Sequence, residues 1–171
     1  MLRVFRIIAY AWEVGRTKQV FYRTSHQHLQ ELFVPDGGSW DQADLTQLTG
    51  APPPADTSPI VGYGWEAGRT KQVVYLTEDG HIHELFVPVG GSWTHADLTQ
   101  ITGAPPVAIN SWIVGYGWEA GRTKQVVYLT EDRHIHELFV PEAGSWTHVD
   151  PDLTDRTGAP LILPDRPIIL P

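Results

Sequence analysis

Apolar and polar residues follow the same pattern three times along the chain. In the second copy, runs rich in β-branched and aromatic residues lie at 60–66, 71–77, 81–87 and 92–99, with short breaks between them that contain glycine or polar residues. Such runs predict strands, and such breaks predict hairpins. No run shows a sustained 3.6-residue period, so no long helix is expected. Each copy therefore predicts a four-stranded antiparallel meander.

The copies follow one another at a constant interval. They begin at Ile7, Ile60 and Ile113, which gives the predicted units 7–59, 60–112 and 113–166. Proline-rich linkers such as 103–112 cannot continue a sheet, so each linker is expected to lead the chain from one sheet to the next. Residues 2–5 and 167–171 are short apolar pieces, and the second is predicted to begin a further first strand.

A four-stranded meander followed by a proline-rich crossover, repeated about every 50 residues, is typical of a β-propeller blade. The alternative is a β-trefoil, which also has three repeats of four strands. Three hairpins within one unit and a long gap between units favour the propeller. Because propellers typically need four to eight blades, oligomerisation is expected to complete the ring. A homodimer with six blades is the simplest solution, and a trimer with nine is less favoured.

Composition narrows the possible partners. The net charge of −8 argues against nucleic acid and anionic membranes, which require a positive surface. No run approaches the length of a membrane span, and the chain has no cysteine. The first residues lack the long apolar core and the cleavage site of a signal peptide. Location is therefore left open between the cytoplasm and release by a non-classical route.

Histidines at fixed places raise the possibility of a metal site. His81 and His83 stand two apart, which places both on one face of a strand, and His95 follows in the same copy. The first copy has Gln30 and Gln42 at the places of His83 and His95. We interpret the histidines as hydrogen-bonding residues of the sheet, and predict no metal and no cofactor.

Recurring carboxylates raise the possibility of catalysis. Each copy has a glutamate and an aspartate at fixed places, such as Glu84 and Asp97, and paired carboxylates serve glycosidases. Catalysis normally uses one asymmetric site, however, and three symmetric copies argue against one. No nucleophile elbow or phosphate-binding loop is present. The chain is not expected to be an enzyme.

Aromatic residues are the stronger indication of function. A tryptophan in the first run of each copy is interpreted as core, whereas the tryptophan after the last glycine-containing loop is a candidate ligand contact. Sugars bind to aromatic faces and to charged side chains that hydrogen bond their hydroxyls. The predicted ligand-binding residues are Trp40, Trp93, Trp146, Arg16, Arg69, Arg122, Glu31, Glu84 and Glu137. The alternative is a structural or protein-interaction propeller without a sugar site.

The repeat also resembles a known family. The phrases QVVY at 72–75, HIHEL at 81–85, SWTHADLT at 92–99 and GAP at 103–105 are similar to repeats of bacterial fucose-binding-type propeller lectins of the Photorhabdus lectin-like family. This resemblance implies a β-propeller with several shallow sites between adjacent blades. It further implies multivalent binding of fucose-type or O-methylated sugars.

Overall fold

The computed structural model describes residues 7–108 and 111–163, which form three separate four-stranded sheets. In each sheet the strands lie in the order of the chain and pair antiparallel with their neighbours. Each sheet is therefore an up-and-down meander, as the sequence predicts. We call the three sheets blades 1, 2 and 3.

The strand bounds repeat closely from blade to blade. Blade 1 contains β1 (Ile7–Trp12), β2 (Thr17–Arg23), β3 (Leu29–Pro35) and β4 (Asp41–Asp44). Blade 2 contains β5 (Ile60–Trp65), β6 (Thr70–Leu76), β7 (Ile82–Pro88) and β8 (Thr94–Asp97). Blade 3 contains β9 (Ile113–Trp118), β10 (Thr123–Leu129), β11 (Ile135–Pro141) and β12 (Thr147–His148).

A short helix follows the last strand of each blade. These helices are α1 (Leu45–Thr49), α2 (Leu98–Thr102) and α3 (Leu153–Thr157). The prediction of a fourth strand over 92–99 is wrong at both ends, because β8 covers only Thr94–Asp97 and Leu98 already belongs to α2. The side chain of Asp97 accepts a hydrogen bond from the Gln100 N–H at 2.9 Å, which starts α2, and Gly103 ends it with a φ of 65°.

The trefoil alternative is wrong, because a trefoil closes its repeats into one shared barrel. Within residues 7–108 and 111–163, every sheet is built from the strands of a single repeat. The linker at 103–108 has no regular structure, as its prolines predict. The two apolar terminal pieces, 2–5 and 167–171, lie outside the described residues.

Neighbouring blades pack through their first strands. The Trp12 side chain of β1 is 4% exposed and lies over Gly64 of β5, where an added Cβ would stand 2.9 Å from the ring. Trp65 of β5 lies over Gly117 of β9 with the same spacing. Glycine is needed at these two positions because the rings of the preceding blade occupy the space of a side chain. Trp12 and Trp65 are core residues, as expected, whereas Trp118 of β9, which no described blade covers, is 57% exposed.

A carboxylate joins each pair of blades at the turn between their first two strands. Glu66 of blade 2 accepts hydrogen bonds from the backbone N–H groups of Glu13 and Val14 of blade 1, at 3.0 and 2.7 Å. Glu119 of blade 3 accepts from Glu66 and Ala67 of blade 2 at the same two distances. The glutamate of each later repeat therefore attaches that blade to the preceding one.

The hydrophobic core lies between the blades as well as within them. One cluster joins Phe21 and Leu45 of blade 1 to Val73 and Tyr75 of blade 2, and another joins blades 2 and 3 in the same way. Burial between neighbours is what makes stacked repeats stable. Among the described residues, no helix has the length and apolar character required to cross a bilayer.

Candidate functional site

The junction of blades 1 and 2 brings together a glutamate, a lysine and a tryptophan. Glu31 lies on β3, Lys71 lies on β6 of the next blade, and Trp93 lies in the loop before β8. The Lys71 Nζ stands 2.5 Å from Glu31 Oε1 and 5.4 Å from the centroid of the Trp93 ring. The Trp93 side chain also hydrogen bonds to Glu31. Each blade thus supplies part of one shared cluster.

The same cluster recurs at the junction of blades 2 and 3. Lys124 Nζ stands 2.6 Å from Glu84 Oε1 and 5.3 Å from the centroid of the Trp146 ring. The indole N–H of Trp146 donates to Glu84 Oε2 at 3.3 Å. We call the Glu–Lys–Trp set at each junction the junction triad.

The charged members of the triad are buried. Glu31 is 1% exposed and Lys71 is 6% exposed. Burial raises the pKa of Glu31 above its usual value, and the paired Lys71 ammonium opposes that rise. A charge buried in this way must keep its partner, because an isolated ion in a protein interior is strongly unfavourable.

An open cleft lies over the first junction triad. Its volume is about 380 Å³, and its walls come from both blades. Trp12 and Thr17 line it from blade 1, and Gly90, Gly91 and Trp93 line it from blade 2. The cleft therefore has an aromatic wall, a loop with accessible backbone groups, and a charged pair at its base. Such a mixture of apolar and polar groups is typical of small-molecule sites.

The predicted arginines lie at the edge of the blades, outside the triad. Arg16 pairs with Asp36 and Arg122 pairs with Glu142, each across the turns of its own blade. Arg16 lines a second cleft of about 580 Å³ on the open face of blade 1, together with Lys18. Arg69, the counterpart of Arg16 in blade 2, is not among the residues that line the cleft between blades 1 and 2.

The outermost members of the predicted set lack a neighbouring blade. Trp40 of blade 1 is 55% exposed, with the Lys18 ammonium 5.7 Å from its ring centroid. Glu137 of blade 3 is half-buried, and burial raises the pKa of its carboxyl while Arg156 opposes the rise. In the described part of the chain, no lysine pairs with Glu137. Blade 1 thus presents the lysine and tryptophan of a triad, and blade 3 presents the glutamate.

The lysines are the site residues that sequence reasoning missed. The triad combines the predicted tryptophans and glutamates across blades, but a lysine takes the place that was assigned to arginine. A signal was present, since every copy has Thr-Lys-Gln at the start of its second strand, at Lys18, Lys71 and Lys124. A lysine that opens a strand is ordinarily solvated, and only the position of the preceding blade shows that Lys71 and Lys124 are enclosed.

The chain is similar in structure to several solved proteins. AofleA from Arthrobotrys oligospora matches with a TM-score of 0.63 and 17% identity, over 85% of this chain and 42% of that one. A triple arginine-to-alanine variant of AofleA matches with a TM-score of 0.66 and 17% identity, over 87% of this chain and 43% of that one. A fungal lectin from Aleuria aurantia, described as a six-bladed β-propeller, matches with a TM-score of 0.58 and 18% identity, over 86% of this chain and 49% of that one.

The fold of this chain is that of a β-propeller. Three sheets arranged as in a six-bladed relative carry that conclusion, and the chain spans less than half the length of those relatives. A lectin from Burkholderia pseudomallei matches with a TM-score of 0.56 and 16% identity, over 82% of this propeller chain and 39% of that one. No protein-family model matches the propeller chain, and no curated protein matches its sequence.

Proposed function

We propose that this propeller is a multivalent sugar-binding protein with one site at each junction of neighbouring blades. The observation that carries the proposal is the cleft over Glu31, Lys71 and Trp93, whose components recur at the next junction. The units 7–59, 60–112 and 113–166 are proposed as the functional repeats, each of which supplies half of two sites. Binding rather than catalysis suits a site that is repeated with the same chemistry.

Structural relatives indicate the kind of sugar. The Aleuria aurantia lectin is described as having a fucose recognition mode, and a structure of SapL1 holds alpha methyl fucoside. Fucose-type sugars carry an apolar methyl group beside their hydroxyls, and O-methylation adds further apolar surface. The face of Trp93 suits that apolar side. The backbone of Gly90 and Gly91 in the cleft suits the hydroxyls, and Arg69 remains a predicted contact outside the cleft lining.

We further propose that a second copy of the chain completes the ring. The exposed face of blade 3 has Val114, Tyr116 and Trp118 exposed by 55%, 42% and 57%. In blade 2 the matching Tyr63 and Trp65 are 8% and 4% exposed, because blade 3 covers them. An apolar patch of this kind requires a partner. Since the same face of blade 2 packs against a blade, we expect the open face of blade 3 to pack against a blade of the second copy.

The two open faces of this chain are complementary. Blade 1 presents the Glu13 carboxylate, which corresponds to Glu66 and Glu119. Blade 3 presents the backbone N–H groups of Glu119 and Ala120, which correspond to the groups that those carboxylates bind. Blade 1 also presents Lys18 and Trp40, the two triad members that match Glu137 of blade 3. Two copies placed head to tail would therefore form two further junctions, giving six blades.

The new junction would differ from the internal ones at two positions. Ala9 and Ala11 stand in β1 where Gly62 and Gly64 stand in β5. A Cβ at Gly62 would lie 2.6 Å from the ring of Tyr10, so the aromatic rings of blade 3 must shift to fit over the alanines. We expect the junction between copies to be weaker than the junction within one chain.

The test of sugar binding is a calorimetric titration of the full chain with methyl α-L-fucoside. The proposal predicts saturable binding to about two sites per chain in the monomer and three in the closed dimer, because the closed ring gains one junction per chain. Loss of the Trp93 ring in Trp93→Ala should weaken one of these sites by about fivefold or more, since an aromatic face of this size contributes about 1 kcal/mol or more.

Trp112→Ala is the matched control, because Trp112 is 68% exposed and does not line the cleft. Its titration should equal that of the unaltered chain. If fucosides and O-methylated sugars show no saturable binding, or if Trp93→Ala binds as well as the control, the sugar-binding proposal is wrong.

The alternative is a structural or protein-interaction propeller. The burial of Glu31 and Glu84, at 1% and 0% exposure, favours this alternative, because the two carboxylates hold neighbouring blades together through their lysine partners. In that case the triads would stabilise the ring without offering a site. A chain that dimerises but binds no sugar in the titration above would support this alternative.

A further inference from the structure

The outer edge of blade 2 holds a cluster of three histidines and one aspartate, away from the interblade cleft. His83 lies on β7, His95 and Asp97 lie on β8, and His81 immediately precedes β7. Ligand atoms of His81, His83 and Asp97 all lie within 4.8 Å of one another. Two imidazoles and one carboxylate at such separations are a donor set that first-row transition metals accept.

One ring nitrogen of His83 contacts His95, and the other faces Asp97. His83 Nδ1 and His95 Nε2 are 2.6 Å apart, and their rings stack at 4.9 Å. If Nδ1 carries the proton and donates to His95, the His83 Nε2 presents its lone pair to Asp97 Oδ2, at 3.8 Å. That separation is too long for a hydrogen bond. Two acceptor atoms that face each other at this distance are stabilised by a cation between them.

Asp97 is held in place for this role. Its Oδ1 accepts the Gln100 N–H at 2.9 Å, and its Oδ2 stands 2.8 Å from His81 Nδ1. The capping bond fixes the carboxylate and leaves Oδ2 directed at both imidazoles. Ligands oriented by a second set of hydrogen bonds are typical of metal sites, where the outer partner of a histidine fixes its tautomer. His95 would be that outer partner.

The central imidazole of the cluster is buried, whereas that of His81 is partly open to solvent. His83 is 5% exposed, and its desolvation lowers its pKa from the ordinary value to about 4. The pKa of Asp97 is also lowered, with hydrogen bonds from Gln100 and His81 opposing the effect of its burial. His81 is one-third exposed, which gives an ion a path from solvent.

We propose that His81, His83 and Asp97 form a binding site for a divalent transition-metal ion, with Zn²⁺ as the best fit. Zn²⁺ takes such ligands at about 2.0–2.2 Å and would accept a fourth ligand from solvent. Coordination would displace the proton that His81 shares with Asp97 and release it to solvent. This proposal is independent of the proposed sugar-binding function.

The three blades differ at this place and so provide internal comparisons. In blade 1, His28 Nδ1 lies 2.6 Å from Asp44 Oδ2, but Gln30 and Gln42 replace the other two imidazoles. Glutamine side chains are poor ligands for Zn²⁺, so blade 1 should not bind the ion.

Blade 3 keeps the residue types but alters the geometry. His136 Nδ1 and His148 Nε2 are 2.9 Å apart, as in blade 2. Two extra residues precede Asp152, however, and the cluster within 4.8 Å is formed by His134, Asp152 and Asp155 without His136. A weaker second site is expected in blade 3.

The test is a titration of the metal-free full chain with Co²⁺ and Zn²⁺. Tetrahedral Co²⁺ gives a strong visible absorption, which Zn²⁺ should abolish by displacement. The proposal predicts one tight site. His83→Gln, which installs the residue of blade 1, should weaken that site tenfold or more. His95→Gln should weaken it by roughly 10- to 100-fold, the effect typical of a lost outer partner.

The control is His28→Gln in blade 1, which should leave the titration unchanged. In parallel, nitrogen NMR of the unaltered chain should show Zn²⁺ shifting His83 Nε2 and His81 Nδ1 first. That measurement needs no variant, so it remains decisive if a substitution prevents folding. Absence of saturable binding, or binding that leaves the His81 and His83 nitrogens unshifted, would overturn the proposal.

Discussion

The junction triad depends on single residues that come from two different blades. Lys71 would be an ordinary solvated lysine on an isolated sheet, but blade 1 encloses it beside Glu31 and under Trp93. Sequence reasoning could identify the tryptophans and glutamates from their periodic recurrence. It could not assign the lysine, because the burial of Lys71 depends on a carboxylate that stands 40 residues away in the chain.

Removal of one partner of this ion pair should be costly. Lys71→Ala leaves the Glu31 carboxylate buried without a counter-charge, and we expect it to lower the free energy of unfolding by about 3–5 kcal/mol. Chemical denaturation followed by tryptophan fluorescence measures the change. The double variant Glu31→Leu/Lys71→Met is the control, and it should recover most of the loss, because a buried apolar pair needs no partner. A single variant as stable as the unaltered chain would show that the pair is solvated.

Among the secondary-structure elements, period-two patterns and glycine-containing breaks predict the first three strands of each blade well, nine in all, and the three fourth strands poorly. The fourth run reads as strand through Leu98 and Thr99, since both are β-compatible. Asp97 instead caps a helix that ends at Gly103. The signal was an aspartate three residues before Gln100, an N-cap pattern that a five-residue helix makes easy to overlook.

The glycines of β5 fix how closely two blades approach. In Gly62→Ala the new Cβ would lie 2.6 Å from the Tyr10 ring, so the blades must separate. We expect a loss of about 1–3 kcal/mol in unfolding free energy, the usual effect of overpacking.

The matched change is Ala9→Gly, at the same position of blade 1. This change removes a methyl group from the proposed contact between copies, so it should strengthen association. The dimer should dissociate only at a lower concentration than before, while the unfolding free energy of the single chain changes little. If Gly62→Ala were neutral, the interblade packing described above would be wrong.

For the whole molecule, the repeat predicts blades, and in the proposed ring the number of blades depends on contacts between copies. Each internal junction uses one glutamate that accepts hydrogen bonds from two backbone N–H groups of the preceding blade, one triad and two contacts of an aromatic ring over a glycine. Blades 1 and 3 each present one unmatched half of this set. The sequence indicates the propeller through its repeat, whereas the complementarity of the two halves becomes visible only in three dimensions.

The Glu13 carboxylate is expected to act in the association of two copies and not in the folding of one chain. Within residues 7–108 and 111–163 it makes no hydrogen bond, whereas its counterpart Glu119 holds blades 2 and 3 together. Glu13→Ala should therefore weaken association of two copies, and Glu119→Ala should lower the unfolding free energy of the chain itself by about 1–3 kcal/mol. Association is measured by analytical ultracentrifugation and unfolding by denaturation. Equal effects of both changes on unfolding would contradict this division of roles.

The most direct test of the central claim, that two copies of these three blades close one ring, is the mass of the protein in solution. The chain has a mass of 19.1 kDa. Sedimentation equilibrium at micromolar concentration should give twice that value for the unaltered chain and a shift toward the single-chain value for Glu13→Ala. A monodisperse species with the mass of one chain, unchanged across the concentration range, would contradict the account.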